Sequence, residues 1–187
     1  GELKMFKPNP LPDCMIDIET IDTGPESAVL SIAAMRWDAN NKSAVRNSVE
    51  ILIDVDDCLA RGCTYSEDTI KWWDQQAPEV HHKAFTQGPR LSLPAALDEL
   101  RKYVAGTQRF WCQGLNFDQI ILEQAYKRCG EPRPWSYWQW RDSRTLMKLV
   151  DDLPVKDSRA HDAIYDVGYQ IDCMFHVFDR YGIDTFK

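Results

Sequence analysis

The chain has 187 residues, with 22 Lys and Arg against 29 Asp and Glu and a formal net charge of −7 at pH 7. This acidic balance argues against a protein that holds nucleic acid through a broad basic surface, but it allows an enzyme whose carboxylates bind cations. Hydrophobic residues make up 44% of the chain, enough for a sizeable core. We expect a single domain over residues 1–187, in which 1–12 form an extended tail.

No apolar run approaches the length of a membrane span, and the first residues contain no apolar signal core. The six cysteines form no C-x-x-C pair, which favours reduced thiols. These features together predict a cytoplasmic protein.

Apolar patterning in the first third of the chain predicts three strands, over residues 14–19, 28–37 and 49–55. Their connections are too short for the crossover that parallel neighbours need, so we expect an antiparallel arrangement.

From Ser66 onward the spacing of apolar residues becomes helical. Ser66 can cap a helix that starts at residue 67, and Asn116 can cap another. The stretch 132–140 is aromatic and irregular. Further helices are expected over 78–85, 93–104, 143–150 and 162–180, and a strand over 109–112. This order predicts an α/β fold with a mixed sheet flanked by helices.

Two carboxylates interrupt the first strand near its end. Asp17 and Glu19 are two positions apart, so both project from the same face of the strand. Like charges held together repel each other, and a divalent cation removes that cost. The alternative is a strand end that reaches solvent, with both acids simply hydrated.

Three further residues are candidates for the same chemistry. Asp118 lies in the first turn of a helix, where it could equally serve the helix dipole. Asp166 borders the apolar stripe of the last helix, one turn after Asp162. We interpret Asp162 either as support for the N-terminus of that helix or as a residue that orients the metal ligands. His161 precedes the helix and is either a proton carrier or a capping or surface residue.

The set Asp17 and Glu19, then Asp118, then His161 and Asp166 resembles, in order and spacing, the DEDDh family of 3′-to-5′ exonucleases, from residue 14 to about 180. Residues 66–73, 76–79 and 137–145 are similar to the branch of that family that contains the exonuclease A of T-even phages and a mycobacterial exoribonuclease. The resemblance implies a phage or bacterial enzyme with a ribonuclease-H-like fold, in which three antiparallel strands are followed by parallel ones.

The expected reaction is hydrolysis of phosphodiester bonds at 3′ ends of single-stranded nucleic acid or at 3′ overhangs, releasing nucleoside 5′-monophosphates. Two Mg²⁺ ions, which Mn²⁺ can replace, would stabilise the attacking and leaving oxygens, and the four acids would hold them. His161 would be the general base. The resemblance places the terminal nucleotide near Ile18 and Thr20, with Asn116 and Phe117 close by, and allows a homodimer. DNA is slightly favoured over RNA.

Aromatic and basic residues suggest a second layer of substrate contacts. Bases stack on aromatic rings with little sequence preference, and Trp73 is a candidate for this role, although core packing is the alternative for most of the tryptophans. A helix cannot bury both Trp72 and Trp73 on one face, so one of the two would meet the substrate. Arg141 and Arg144 are candidates for phosphate contacts or for an ion pair with Asp142. A non-catalytic nucleic-acid-binding module on the same fold is the alternative of another class.

Overall fold

The computed structural model describes residues 10–157 and 159–187, so most of the tail expected over 1–12 lies outside the described residues. A five-stranded sheet forms the centre, in the order β3-β2-β1-β4-β5. The strands are β1 Asp13–Thr20, β2 Val29–Trp37, β3 Asn47–Leu52, β4 Arg109–Cys112 and β5 Trp140–Asp142. β2 is antiparallel to both β1 and β3, whereas β4 is parallel to both β1 and β5. The predicted α/β fold with a mixed sheet is therefore confirmed.

Seven helices cover the two faces of the sheet in the described part of the chain. They are α1 Val55–Ala60, α2 Glu67–Trp73, α3 Pro78–Phe85, α4 Leu93–Tyr103, α5 Asp118–Arg128, α6 Ser143–Met147 and α7 Ala163–Tyr181. Apolar residues of α1 to α5 pack into one core, and those of α6 and α7 into a second core on the opposite face. None of the helices in the described ranges is long and apolar enough to cross a membrane.

The alternation of β1 assigns its side chains to these two cores. Cys14, Ile16 and Ile18 belong to the first core, and Met15 belongs to the second, which α7 covers. Because successive side chains point to opposite faces, the odd-numbered residues of β1 face α7. The two carboxylates of β1 are odd-numbered and therefore meet this helix.

A buried ion pair joins the start of β1 to β4. Asp13 is fully buried and accepts hydrogen bonds from Arg109 Nε and Nη2, each at 2.7 Å, and from Trp111 Nε1 at 2.8 Å. The Ala39 N–H donates a fourth bond at 2.8 Å. Fully hydrogen-bonded, this buried charge ties the parallel strand pair together.

Three elements differ from the predicted ones. The third strand ends at Leu52, and Val55 begins α1, because Asp54 caps a helix there by accepting from the Asp56 and Asp57 N–H groups. Helix α5 begins at Asp118 with Phe117 at its N-cap position and no side-chain cap, so the prediction that Asn116 caps it is wrong. The stretch that was expected to be irregular contains a 3₁₀ turn and leads into β5.

Candidate active site

The carboxyl end of β1 presents two half-buried acids to α7. Asp17 Oδ1 accepts a hydrogen bond of 2.9 Å from Nε2 of Gln170 on that helix. Glu19 follows on the same face, next to an irregularity in the pairing of β1 with β2 between Glu19 and Thr20. The prediction that both acids share a face is confirmed.

Asp118 comes to the same place from the next parallel strand. After β4 the chain turns through Gly114, whose φ of +108° favours glycine, and a Cβ there would lie 3.0 Å from the Arg144 guanidinium. The turn delivers Asp118, which is 4% exposed, to β1, where its Oδ1 accepts a hydrogen bond of 3.1 Å from the Ile18 N–H. A contact across 100 residues thus joins the two strand ends.

The start of α7 supplies the fourth acid and the histidine. Asp162 caps the helix by accepting from the Ile164 and Tyr165 N–H groups, which confirms its interpretation as helix support. Asp166, 4% exposed, accepts a 3.0 Å bond at Oδ2 from the backbone N–H of His161. His161 itself has a φ of 70°, a left-handed conformation that is strained in a non-glycine residue.

These residues form a compact polar cluster. One ligand atom from each of Glu19, His161 and Asp166 lies within 4.8 Å of the other two. Lys156 enters from the loop before His161, and its Nζ is 2.7 Å from Asp166 Oδ1. Sequence reasoning missed this lysine, because the segment that carries it has no periodic pattern.

Burial and mutual repulsion perturb the acids. Burial, followed by the nearby Asp118 and Asp166 carboxylates, raises the pKa of Asp17 well above its usual range. The pKa of Glu19 is raised well above its usual range by burial and then by Asp17 and Asp166. Burial raises the pKa of Asp118 to about 7. Carboxylates held this close together repel one another, and a divalent cation removes that repulsion. Carboxylate oxygens are the ligands that Mg²⁺ and Mn²⁺ prefer, so the donor set fits hard divalent cations.

The environment of His161 favours its neutral form. Burial lowers the pKa of the imidazole below its ordinary 6.5, and Lys156 acts in the same direction, against the raising effect of Asp166. The imidazole and the Trp72 ring pack edge to face, with centroids 4.8 Å apart and planes at 89°. A neutral imidazole beside the acids can accept a proton.

A cavity of about 510 Å³ opens next to the acids. Ile18, Glu19, Thr20, Phe117 and the α2 tryptophans are among its lining residues. Trp73 is 1% exposed and donates from Nε1 to the Thr20 carbonyl at 2.8 Å, whereas Trp72 is 39% exposed. Trp72 is thus the member of the pair that is open to a ligand, a distinction that the sequence pattern could not make.

The remaining predicted substrate contacts, which are Arg144, Arg141 and Asn116, have different surroundings. Arg144 donates to the Gln113 carbonyl at 3.0 Å and lowers the pKa of Asp118, so its charge reaches the site. The Arg141 guanidinium donates to the carbonyls of Trp138, Trp140 and Lys187, and none of these described bonds is to an acid of the cluster. Asn116 is exposed in the turn before α5.

An open mixed sheet with acids at the ends of neighbouring parallel strands and on an adjoining helix defines an α/β protein of the ribonuclease-H-like class. A family model described as "3'-5' exoribonuclease Rv2179c-like domain" matches residues 12–178, and the chain belongs to this family. The chain is also similar to the "Exodeoxyribonuclease" of Enterobacteria phage T4, with 23% identity over 202 aligned residues that cover 85% of this chain and 86% of the relative. The chain is therefore a member of a 3′-to-5′ exonuclease family.

Proposed function

We propose that the protein is a metal-dependent 3′-to-5′ exonuclease that releases nucleoside 5′-monophosphates from single-stranded 3′ ends or 3′ overhangs. The observation that supports this most is the convergence of Asp17, Glu19, Asp118, His161 and Asp166 next to a cavity that Glu19 lines. Neither a binding module nor a purely structural domain requires buried, mutually repelling acids together with a neutral imidazole.

Each part of the cluster has a defined task in this proposal. Asp17, Glu19, Asp118 and Asp166 would hold two divalent cations, Mg²⁺ or Mn²⁺. These cations would stabilise the attacking and leaving oxygens. His161 accepts the proton of the attacking water at an imidazole nitrogen, which requires the neutral ring that its lowered pKa favours. The Trp72 ring packs edge to face with this imidazole.

The cavity supplies the means of reading a free end. Its volume of about 510 Å³ lies within the range of small-ligand sites, and it opens directly beside Glu19. Trp72, which is 39% exposed, and Phe117 line this cavity and would offer stacking surfaces for the terminal base. Ile18 and Thr20 line the same cavity and would contact the sugar.

DNA is the first substrate in this proposal, because the phage T4 relative is named an exodeoxyribonuclease. RNA is the second candidate, because the matching family model is described as exoribonuclease. Thr23, Ser66 and Asp68 also line the cavity, and their side-chain oxygens could hydrogen-bond a 2′-hydroxyl.

The test uses single-stranded DNA and RNA of one sequence, labelled at either the 3′ or the 5′ end, with Mg²⁺, with Mn²⁺ and with a chelator. The 5′-labelled strands should shorten stepwise and the 3′-labelled strands should release mononucleotides, only with metal. Asp17→Ala should abolish this. Asp179→Ala, which removes an acid that is 64% exposed in a surface ion pair with Lys42, is the matched control. Binding without products, or undiminished shortening in Asp17→Ala, would contradict the proposal.

A further inference from the structure

Gln170 is a buried amide whose only described hydrogen bond is to the acid site. It lies on α7 one turn after Asp166 and is 1% exposed. Its Nε2 donates to Asp17 Oδ1 at 2.9 Å. Its Oε1 is buried and has no hydrogen-bond partner among the described residues.

An apolar side chain would satisfy the packing of α7 at position 170. Val167, Ile171 and Met174 occupy the same buried face of α7, so an apolar side chain of similar length would fit the pattern there. A buried carbonyl without a partner is destabilising, and an apolar replacement of the same shape removes that penalty. The stabilising contact that the amide makes is therefore the one to Asp17.

The chemistry of a neutral amide suits this position. An ionised carboxylate only accepts hydrogen bonds, so the amide nitrogen is the end that faces Asp17. A lysine or arginine would neutralise the acid and compete with a cation for it, whereas a glutamate would repel it. An amide orients the carboxylate and leaves its charge in place.

We propose that Gln170 is a positioning residue for Asp17, which holds the carboxylate in one orientation and so strengthens binding of divalent cations. This inference rests on the proposed function, since it assumes that Asp17 is a metal ligand. Partners that orient metal ligands commonly change metal affinity by about 10–100-fold when they are removed.

The test is Gln170→Met, which keeps the length of the side chain and removes both the donor and the orphaned acceptor. Gln124→Met makes the same chemical change on α5 and is the control. Gln170→Leu is a second variant in case Gln170→Met fails to fold. Three quantities are measured: the Tm without metal, the Kd for Mn²⁺ by calorimetry without nucleic acid, and kcat and KM on a labelled single strand.

We expect the Tm of Gln170→Met to be unchanged or higher, the Kd for Mn²⁺ to rise about tenfold or more, and kcat to fall with little change in KM. A Kd and kcat within twofold of wild type would refute the positioning role, and a lower Tm with unchanged Kd would make Gln170 purely structural. If the wild-type protein neither binds Mn²⁺ nor shortens either strand, the proposed function itself fails. If the wild type is active and Gln170→Met behaves in the same way, only the positioning role of Gln170 fails.

Discussion

Among the residues that the structure describes, Lys156 is the cationic side chain that contacts the acid cluster directly. Replacing it should tighten metal binding. Its Nζ lies 2.7 Å from Asp166 Oδ1, with 32% of the lysine side chain and 6% of the aspartate side chain exposed. A +1 and a +2 charge about 4.5 Å apart repel by about 2 kcal/mol even in water. Movement of the flexible lysine into solvent relieves part of this, which leaves about 1–2 kcal/mol, or about 5- to 30-fold in Kd.

The assay is a calorimetric titration of Mn²⁺ into wild type, Lys156→Met and Lys102→Met at low ionic strength. Lys102 pairs with Asp98 and Glu99 on the surface of α4, so its replacement changes the net charge equally without touching the site. We expect tighter binding in Lys156→Met and no change in the control. Added KCl should reduce the difference in Kd between wild type and Lys156→Met, because salt screens the repulsion between the lysine and the cation.

Unchanged or weaker Mn²⁺ binding in Lys156→Met would refute this reasoning. It would mean that the lysine supports the orientation of Asp166 more than it repels the cation. Equal tightening in both lysine variants would point instead to the net charge of the whole chain.

Three more variants test the site and the fold. His161→Asn should lower kcat about 10²–10⁴-fold and leave the Kd for Mn²⁺ nearly unchanged, whereas a large loss of Mn²⁺ affinity would make the histidine a metal ligand. Because the pKa of His161 is lowered, the acid limb of the wild-type kcat profile should lie below pH 6.5, and a limb above that value would contradict the assignment. The pKa of Asp118 is raised to about 7, so its ionisation destabilises the metal-free fold as the pH rises from about 4 through 7. Asp118→Asn should therefore raise the Tm at pH 8 by several degrees and hardly change it at pH 4. Equal increases in Tm at the two pH values would exclude a charge effect. Asp13→Asn leaves the Arg109 guanidinium buried and unpaired and should lower the free energy of unfolding by about 3–5 kcal/mol in urea titrations, so a loss below 1 kcal/mol would show that the ion pair is dispensable.

The parts of the site that follow a regular period could be predicted from the sequence. Alternation along β1 suffices to place Asp17 and Glu19 on one face, and the apolar stripe of α7 places Asp166 at its border. The order of the acids and His161 then gave the family resemblance, which the family model supports.

The parts that depend on tertiary contacts could not be predicted. Lys156 reaches the acids from an irregular segment, and the exposure of Trp72 rather than Trp73 is decided by how α2 packs on β1. The short strand β5 was hidden in an aromatic stretch, because Trp140 joins the sheet by packing on Phe110 and Trp135, with ring centroids 5.4 and 5.0 Å away. Local propensity carries none of this information.

The charge of −7 has a structural counterpart around the site. Several cations that approach it are already engaged with carboxylates: Lys156 with Asp166, Lys83 with Asp162 and Arg159 with Asp157. Paired cations release few counterions from a polyanion, so for a nucleic-acid substrate the phosphate contacts along a long strand would contribute little affinity. In the proposed function, recognition would then come from the chain end itself, through the cavity beside Glu19 and the partly exposed Trp72. If the proposed function holds, this acidic balance would favour capture of a terminus over tracking along a strand, and we expect the strand to be released between turnovers.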